Sequence, residues 1–293
     1  MKTGSAEGPV RYELGVLGCG RMAGAMVSRW LSTGAFAAEQ IIAANATATE
    51  ADEVHNRLGV VTTDCADDVI DGAGIVLLGI KPQQIDVVLP GVAARIPAGQ
   101  LWVSMLAGVP LERLRALVGP APRLIRIMPN QPARLGLGMT AMAAGPTVPQ
   151  ADRAKIRALL AQLGEVAELD EAQIDDFTAI AGSGPAYVFL FLEALTEAAE
   201  AIGFDTATAR RLALQTVRGA SALAAESAAD PAALRRDVTS PGGTTEAAIA
   251  TFEAHGWRQV VALAAQAAVR RAAQLAGTQV QAGTSDGTDV RDR

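Results

Sequence analysis

The residues Tyr12-Glu13-Leu14-Gly15-Val16-Leu17-Gly18-Cys19-Gly20-Arg21-Met22-Ala23 determine how the N-terminal half of this chain folds. Residues 12–17 form an apolar run of strand length, and glycines follow at positions 18 and 20. A helical pattern with Met22, Met26 and Trp30 on one face comes next. A strand, a glycine turn and a helix in this order are the context in which G-x-G-x-x-A indicates a dinucleotide-binding turn.

Each small residue of this turn has a physical role in such a site. Gly18 permits the tight turn, Gly20 lets a pyrophosphate approach the backbone, and Ala23 allows close contact between helix and strand. The alternative is an ordinary strand-to-helix turn in a flavodoxin-like sheet. Cys19 needs no reactive role, because the available space alone explains a small side chain there.

Further strand-like runs alternate with helix-sized segments, which predicts an α/β fold with a parallel, doubly wound sheet. The runs are 40–44, 75–80, 101–105, 124–127 and 139–143, followed by a helix near 150–163 and a weaker strand at 166–169. Ligands collect at the carboxyl ends of such strands, where this chain has Lys81-Pro82, Ala107-Gly108 and Met128-Pro129-Asn130. Lys81 fits a cofactor contact and a solvated strand-end lysine equally well.

The end of the second strand bears on the choice of dinucleotide. The sequence Ala43-Ala44-Asn45-Ala46-Thr47 has no carboxylate before Glu50. A carboxylate at this place contacts the ribose hydroxyls of NADH and would repel the 2′-phosphate of NADPH. Asn45 and Thr47 can instead donate hydrogen bonds to that phosphate. The sequence therefore favours NADPH over NADH, with NADH as the alternative.

The chain changes character after residue 171, because alanine and leucine dominate and strand signals end. Helical periodicity runs to residue 277, and segments such as 186–195 and 260–269 are apolar on more than one face. Such helices must bury those faces against something, which predicts a homodimer through this helical part.

A second informative turn, Asp237-Val238-Thr239-Ser240-Pro241-Gly242-Gly243-Thr244-Thr245, lies between an alanine-rich helix at about 206–228 and a helix that starts near Thr244. Its glycines let backbone amides come close to a ligand. The unpaired N–H groups and the positive dipole end of the following helix would hold a carboxylate. The two turns together predict a nucleotide site and a site for a small acid.

Composition excludes several other classes. The net charge of −6, without a basic stripe, argues against nucleic acid as a partner. Cys19 and Cys65 form neither a disulfide framework nor a metal-ligand spacing. No apolar run approaches the roughly 18 residues of a membrane span, and residues 1–11 lack the apolar core of a signal peptide. We therefore expect a cytoplasmic protein, with a flexible extension at 1–11 and a disordered tail at 278–293.

In this order, the motifs resemble those of pyrroline-5-carboxylate reductases over residues 12–277. They are Gly18-Cys19-Gly20-Arg21-Met22-Ala23, Ile80-Lys81-Pro82-Gln83, Met128-Pro129-Asn130, Gly182-Ser183-Gly184-Pro185-Ala186-Tyr187 and Val238-Thr239-Ser240-Pro241-Gly242-Gly243-Thr244-Thr245. The last motif is specific to that family. The resemblance implies a Rossmann domain at 12–170 and an all-α dimerisation and substrate domain at 171–277. It also implies dimers or larger rings of dimers, and reduction of 1-pyrroline-5-carboxylate to L-proline by NADPH or NADH, the last step of proline biosynthesis.

The resemblance also assigns roles by position. The substrate loop falls on Val238, Ser240, Gly243, Thr244 and Thr245, with the Thr245 hydroxyl facing the ring nitrogen as the catalytic group. The expected cofactor residues are Leu17, Gly18, Cys19, Gly20, Arg21, Met22, Asn45, Thr47, Gly79, Ile80, Lys81, Pro82, Ala107 and Gly108. Arg21 and Ala66 depart from the asparagines that the family often has at these places.

Two rival functions use the same scaffold. A β-hydroxyacid dehydrogenase typically works with a helical-domain lysine, and residues 171–277 contain no lysine. A redox-sensing protein that binds the dinucleotide without turnover has no use for the loop at 237–245. His55 and His255 are better explained by capping or solvent exposure than by catalysis.

Overall fold

A computed structural model describes residues 10–275 of the chain. Within these residues it contains two compact units, one of residues 10–182 with 268–275 and one of residues 183–267. Most of the predicted extension at 1–11 and all of the predicted tail at 278–293 lie outside the described residues.

The first unit is built on an eight-stranded sheet in the order β3-β2-β1-β4-β5-β6-β7-β8. All neighbouring strands are parallel except β6 and β7. This confirms the predicted α/β fold with a doubly wound sheet. The strands are β1 (Tyr12–Leu17), β2 (Ile41–Ala44), β3 (Val61–Thr63), β4 (Ala73–Leu78), β5 (Leu101–Ser104), β6 (Arg123–Met128), β7 (Gly138–Ala144) and β8 (Gly164–Glu168).

Helices cover both faces of this sheet. They are α1 (Arg21–Ser32), α2 (Ala48–Leu58), α3 (Ala66–Gly72), α4 (Ile85–Val92), α5 (Leu111–Val118), α6 (Gln150–Ala161) and the short α7 (Ile174–Phe177), with a π-helical turn at Thr178–Gly182. The helices of the second part are α8 (Gly184–Ala201), α9 (Thr206–Glu226), α10 (Pro231–Asp237), α11 (Thr244–Ala254) and α12 (Trp257–Leu275).

The direction of β7 corrects the expectation of an all-parallel sheet. Strand β7 pairs antiparallel with β6, with Met128 opposite Ala141. Only residues 129–137, with a short 3-10 helix, connect the two strands. A parallel crossover needs a dozen or more residues, so this connection reverses the chain instead.

Alternating side chains of the strands build a core on each face of the sheet. Leu14, Val16 and Ile75 pack with α1 and α6, whereas Leu17, Val76 and Trp102 pack with α3, α4 and α5. Each buried tryptophan satisfies its indole N–H. Trp30 donates to the Leu159 carbonyl at 2.8 Å, and Trp102 donates to Gln100 Oε1 at 2.9 Å.

The segment 171–182 is held on strands β6 and β7. Ile174 packs in a small core with Met128, Ala141 and Ala143. Arg126, only 2% exposed, donates to Asp175 Oδ1 at 2.8 Å and also faces Glu171. These contacts explain why the first compact unit extends to residue 182, whereas the change in composition lies near residue 171.

The second unit exposes many large apolar side chains. On α8, Val188, Phe189 and Leu190 are 45%, 57% and 65% exposed. An aromatic trio also forms here, because the Trp257 ring lies 5.4 Å from the Phe252 ring and 6.1 Å from the Phe191 ring, measured between centroids.

The helical stretch Glu171–Ala201 modifies the expectation that no segment reaches membrane-span length. By length and composition alone this stretch is apolar enough to cross a membrane. Its 18-residue window has a mean hydropathy of 1.3, and 6% of that window is buried. The π-helical turn and Pro185 interrupt the stretch. Charged residues at 171, 175, 176 and 193 divide its apolar residues, which is why no single apolar run of that length stands in the sequence.

Candidate active site

The carboxyl ends of β1, β2, β4, β5 and β6 lie on one edge of the sheet, because these strands are parallel neighbours. The structure therefore brings the predicted cofactor residues together at one sheet edge. They occupy the turn after β1 (Leu17, Gly18, Cys19, Gly20, Arg21, Met22), the end of β2 (Asn45, Thr47), the end of β4 (Gly79, Ile80, Lys81, Pro82) and the turn after β5 (Ala107, Gly108).

Gly18 makes the close contact between β1 and β4 possible. Its φ is +86°, and a Cβ at this position would stand 2.6 Å from the Ile80 amide nitrogen. The backbone is fixed on both sides, since Gly18 N donates to Ala44 O and Gly79 N donates to Leu17 O, each at 2.8 Å. Only glycine fits both the conformation and the space.

The start of α1 fits the pyrophosphate of a dinucleotide. Gly20 is the N-cap residue, and no side chain of the described residues caps the helix there. The first turn of α1 contains no acidic residue, and no described atom lies within 4 Å of where a Cβ of Gly20 would stand. Open space, unpaired amides and a positive dipole end are what a bound anion requires.

Cys19 lies in this turn but is 2% exposed. Burial raises the pKa of the Cys19 thiol to about 11, against a smaller opposing effect of Arg57. The thiol is therefore protonated at neutral pH and is not a nucleophile.

Arg57 was not anticipated from the sequence. Its guanidinium Nη2 donates to the Cys19 carbonyl at 3.4 Å and lies 2.9 Å from where a Cβ of Gly24 would stand. It thus ties the end of α2 to the cofactor turn, and the absence of a side chain at Gly24 leaves room for it.

The structure at the end of β2 corrects the premise that no carboxylate lies close to the end of the second strand. Glu50 folds back from α2, and its Oε2 accepts from the Ala46 amide at 3.2 Å. Thr47 Oγ1 accepts from the Glu50 amide, also at 3.2 Å, and so caps the start of α2. The Glu50 carboxylate therefore lies at the Ala46 amide, next to Asn45. The sequence separation concealed it because the first turn of a helix brings residues four apart together.

Other strand-end residues are arranged by local hydrogen bonds. The Lys81 amide donates to Gln84 Oε1 at 3.1 Å, while the Lys81 side chain is exposed. Gly108 has a φ of +70° in the turn after β5. Ala66, the second departure, is the first residue of α3 and packs partly buried against the core.

Asn130 is a further residue whose role the sequence did not reveal. Its Nδ2 donates to the Ala181 carbonyl in the π-helical turn, and its Oδ1 accepts from the Met139 amide, each at 2.9 Å. The residue is 8% exposed. Both partners are distant in sequence, so only the motif Met128-Pro129-Asn130 could have drawn attention to it.

The substrate-loop residues lie together in the second unit, at the start of α11. Val238 is 63% exposed, and Thr239 Oγ1 donates to the Arg235 carbonyl at 2.6 Å. Gly242 has a φ of +70°, and its amide donates to Glu246 Oε2 at 2.7 Å. Glu246 therefore caps the loop as a structural carboxylate.

Gly243 corrects the expected set of anion-binding amides. It is the N-cap of α11, and its amide already donates to the Ser240 carbonyl at 3.0 Å. A Cβ here would stand 2.5 Å from Ser240 Oγ and 3.0 Å from the Ser240 carbonyl oxygen, so a side chain at this position would crowd the turn. Thr244 and Thr245 are the first two residues of α11, and amides at these positions have no intrahelical acceptor.

The remaining candidates for acid–base chemistry are held by backbone groups. His55 Nδ1 lies 2.8 Å from the Val60 carbonyl oxygen, and His255 Nδ1 lies 2.8 Å from that of Thr251. Among residues 10–275, no group of three or more His, Cys, Asp or Glu side chains is arranged to hold a metal ion.

Two family models match this chain. One, described as pyrroline-5-carboxylate reductase dimerisation, matches residues 171–275. The other, described as NADP oxidoreductase coenzyme F420-dependent, matches residues 13–108.

Curated relatives match nearly the whole chain. The pyrroline-5-carboxylate reductase of Pseudomonas aeruginosa is 40% identical over 261 residues, which cover 89% of this chain and 95% of the relative. The pyrroline-5-carboxylate reductase of Synechocystis is 38% identical over 265 residues, which cover 90% of this chain and 98% of that relative.

Solved structures of pyrroline-5-carboxylate reductases are also similar to this chain. A pyrroline-5-carboxylate reductase from Coxiella burnetii superposes with a TM-score of 0.84 at 34% identity, covering 92% of this chain and all of that one. The 1-pyrroline-5-carboxylate reductase from Streptococcus pyogenes superposes with a TM-score of 0.81 at 32% identity. The match covers 89% of this chain and 98% of that one.

Proposed function

This chain belongs to the pyrroline-5-carboxylate reductase family, and from that membership we propose that it reduces 1-pyrroline-5-carboxylate to L-proline with NAD(P)H, as the last step of proline biosynthesis. The observation that carries the proposal is the 40% identity over 89% of the chain. The two family models cover the cofactor turn, within residues 13–108, and the loop before α11, within residues 171–275. NAD(P)H supplies the hydride.

The cofactor part of the site is proposed for the sheet edge of the first unit. The uncapped start of α1, with Arg21 and Met22 in its first turn, suits the pyrophosphate. The strand-end groups Lys81-Pro82 and Ala107-Gly108 lie on the same edge, where doubly wound sheets bind ligands. The predicted division into a cofactor domain at 12–170 and a dimerisation and substrate domain at 171–277 belongs to this proposal.

The substrate part is proposed for the loop at Val238, Ser240, Gly243, Thr244 and Thr245. The amides of Thr244 and Thr245 at the start of α11 suit the single carboxylate of the substrate. Gly243 contributes by shape, because its amide is used inside the turn.

Thr245 is the proposed catalytic residue. Its hydroxyl would hydrogen-bond the imine nitrogen and so orient the ring for attack at the imine carbon. A threonine hydroxyl is too weak an acid to protonate the nitrogen alone, so the nitrogen arrives as an iminium or receives its proton through water. Orientation of the reactants accounts for most of the rate enhancement, and can supply about 7–11 kcal/mol.

The exposed apolar side chains of the second unit suit a second copy of the chain. Val188, Phe189 and Leu190 on α8 and Val260 and Leu263 on α12 are each 45% exposed or more. A soluble, cytoplasmic homodimer, or a larger ring of dimers, would bury them.

The test is a substrate panel with the purified full chain. Cyclic imino acids are offered with NADPH and with NADH, and 3-hydroxy acids are offered with NADP+ and with NAD+. Oxidation or reduction of the cofactor is followed at about 340 nm, where reduced nicotinamides absorb, and the product is identified by mass spectrometry. We expect oxidation only with the cyclic imino acid and L-proline as product. Turnover of a 3-hydroxy acid instead would refute the assignment.

A further inference from the structure

One guanidinium joins the last turn of α2 to the cofactor turn. Arg57 lies in that last turn of the helix, and its Nη2 donates to the Cys19 carbonyl at 3.4 Å. The two residues stand 38 positions apart in the sequence, so this contact forms only when the sheet unit folds. The acceptor is a backbone group of the turn itself, and Arg57 therefore acts on the shape of the turn.

The Cys19 carbonyl shares a peptide group with the Gly20 amide. A trans peptide is planar, with its C=O and N–H bonds pointing in opposite directions, and the described residues contain no cis peptide bond. Glycine has wide conformational freedom, so rotation about the Gly20 backbone would turn this peptide plane unless a contact holds it. A hydrogen bond that fixes the Cys19 carbonyl therefore also fixes the direction of the Gly20 N–H.

Gly24 provides the space in which the guanidinium lies. A Cβ at Gly24 would stand 2.9 Å from Nη2 of Arg57, 3.5 Å from its Cζ and 3.9 Å from its Nε, and these are the three nearest atoms. Gly24 is a buried residue of α1, and its amide donates to the Gly20 carbonyl at 2.8 Å. Glycine inside a helix is less favourable than alanine, so the missing methyl group serves the contact with Arg57 and not the helix.

We propose that Arg57 is a positioning residue for the pyrophosphate of the cofactor: its guanidinium, lying beside Gly24, holds the Cys19–Gly20 peptide so that the Gly20 amide can donate to the bound anion. The inference rests on the proposed NAD(P)H site and adds the residue that orders it. NADPH and NADH share the pyrophosphate, so Arg57 strengthens the binding of both cofactors by the same factor.

Two variants remove the contact in different ways. Arg57→Gln shortens the side chain and removes its charge, whereas Gly24→Ala displaces the guanidinium and leaves the charge in the chain. Because alanine favours the helix, a loss of affinity in Gly24→Ala cannot come from a weakened α1. Arg115→Gln is the matched control, since Arg115 also lies in the last turn of its helix, α5, and donates to the Pro122 carbonyl at 2.9 Å, far from the cofactor turn in the sequence.

Dissociation constants of NADPH, NADH and ADP are measured by calorimetry on the full chain without substrate. ADP carries the pyrophosphate and lacks the nicotinamide. We expect Arg57→Gln and Gly24→Ala each to weaken all three ligands about tenfold, which corresponds to one hydrogen bond to a charged group. The double variant should bind no more weakly than Arg57→Gln, because both changes remove the same contact. Arg115→Gln should keep all three constants within about twofold.

Three results would overturn the inference. Unchanged binding in Arg57→Gln would show that the turn keeps its shape unaided. Unchanged binding in Gly24→Ala, with a loss in Arg57→Gln, would show that the charge acts without the contact. An equal loss in Arg115→Gln would show that any such helix-end arginine has this effect. Since binding is measured without turnover, a chain that binds both cofactors but reduces no imine would refute the proposed function alone.

Discussion

Single residues decide whether the cofactor turn can form, and Gly18 shows this most directly. Its left-handed backbone and the 2.6 Å approach to Ile80 are two separate reasons for glycine. The chain allows these reasons to be separated experimentally, because Gly34 shares the first and lacks the second. Its φ is +72°, and no described atom lies within 4 Å of its Cβ position.

We therefore expect Gly18→Ala to lower the free energy of unfolding by more than Gly34→Ala does. Gly34→Ala should cost about 1 kcal/mol from backbone strain, and Gly18→Ala about 2–4 kcal/mol because β1 and β4 must also separate. Urea denaturation of both variants measures the difference. Equal losses would show that the contact with β4 relaxes at no cost.

The Thr245 hydroxyl gives a second prediction at this scale. Thr245→Ala should lower kcat about 10- to 100-fold, because a hydrogen bond to the reacting nitrogen is lost, and should leave the dissociation constant of NADPH unchanged. Thr245→Ser, which keeps a hydroxyl, should recover most of the rate. Thr251→Ala is the control, since Thr251 on the same helix donates only to the Ala247 carbonyl. Unchanged kcat in Thr245→Ala would remove this residue from the mechanism.

The two cysteines should differ strongly in alkylation. Burial raises the pKa of Cys19 to about 11, which lowers its thiolate fraction about a hundredfold below that of an unperturbed thiol at pH 8. Iodoacetamide should therefore modify exposed Cys65 well before Cys19. Peptide mass spectrometry at timed intervals checks the order.

The same shift predicts a pH dependence of stability. The unfolded chain releases the Cys19 proton near pH 9, whereas the folded chain keeps it until pH is about 11. The contribution of Cys19 to the free energy of unfolding is therefore complete below pH 9 and is lost as the pH rises to 11. Cys19→Ala should show a smaller decline over this range; an identical decline would contradict the assignment.

Elements are joined in this fold by a few long-range polar contacts. Asn130 links the end of β6 to the start of β7 and to the π-helical turn through two hydrogen bonds of 2.9 Å. Such turns often mark functional segments, and this one leads directly into α8.

We expect Asn130→Asp to loosen the π-helical turn, because the carboxylate keeps the acceptor for Met139 but loses the donor to Ala181. Hydrogen exchange of peptides covering 174–182 should quicken, and the free energy of unfolding should fall by about 2–4 kcal/mol. Asn56→Asp, the same change at an exposed position of α2, should do neither. Unaltered exchange in Asn130→Asp would show that the turn holds its shape without the amide.

Local patterns in the sequence were enough to predict the glycine turn and every strand of the sheet except the short β3, because each depends on neighbouring residues. The predicted run at 12–17 is β1, and the helix expected near Thr244 is α11. The direction of β7, the return of the Glu50 carboxylate and the Asn130 contacts were not predicted. The last two depend on which side chain meets which backbone group after folding, and hydrophobic periodicity carries no such information. The direction of β7 depends instead on the short connection at 129–137, because a parallel crossover needs more residues.

At the scale of the whole molecule, a single chain leaves many large apolar side chains of the second unit exposed to water. Leu190→Glu should prevent self-association, because it places a charge on the exposed face of α8. Leu135→Glu makes the same change in the first unit, at 64% exposure against 65% for Leu190, and should leave the dimer intact. Light scattering coupled to size exclusion measures the mass. A dimeric Leu190→Glu would place the interface elsewhere.

The distribution of the three tryptophans gives this protein an optical label in each half. Trp30 and Trp102 are buried in the sheet unit at 3% and 0% exposure, whereas Trp257 stands 44% exposed in the aromatic trio. We expect the first two to emit at shorter wavelength than the third, because an indole ring in contact with water emits further to the red. The long-wavelength side of the emission band would thus follow the helices, and the short-wavelength side the sheet, in the same cuvette and without any added dye.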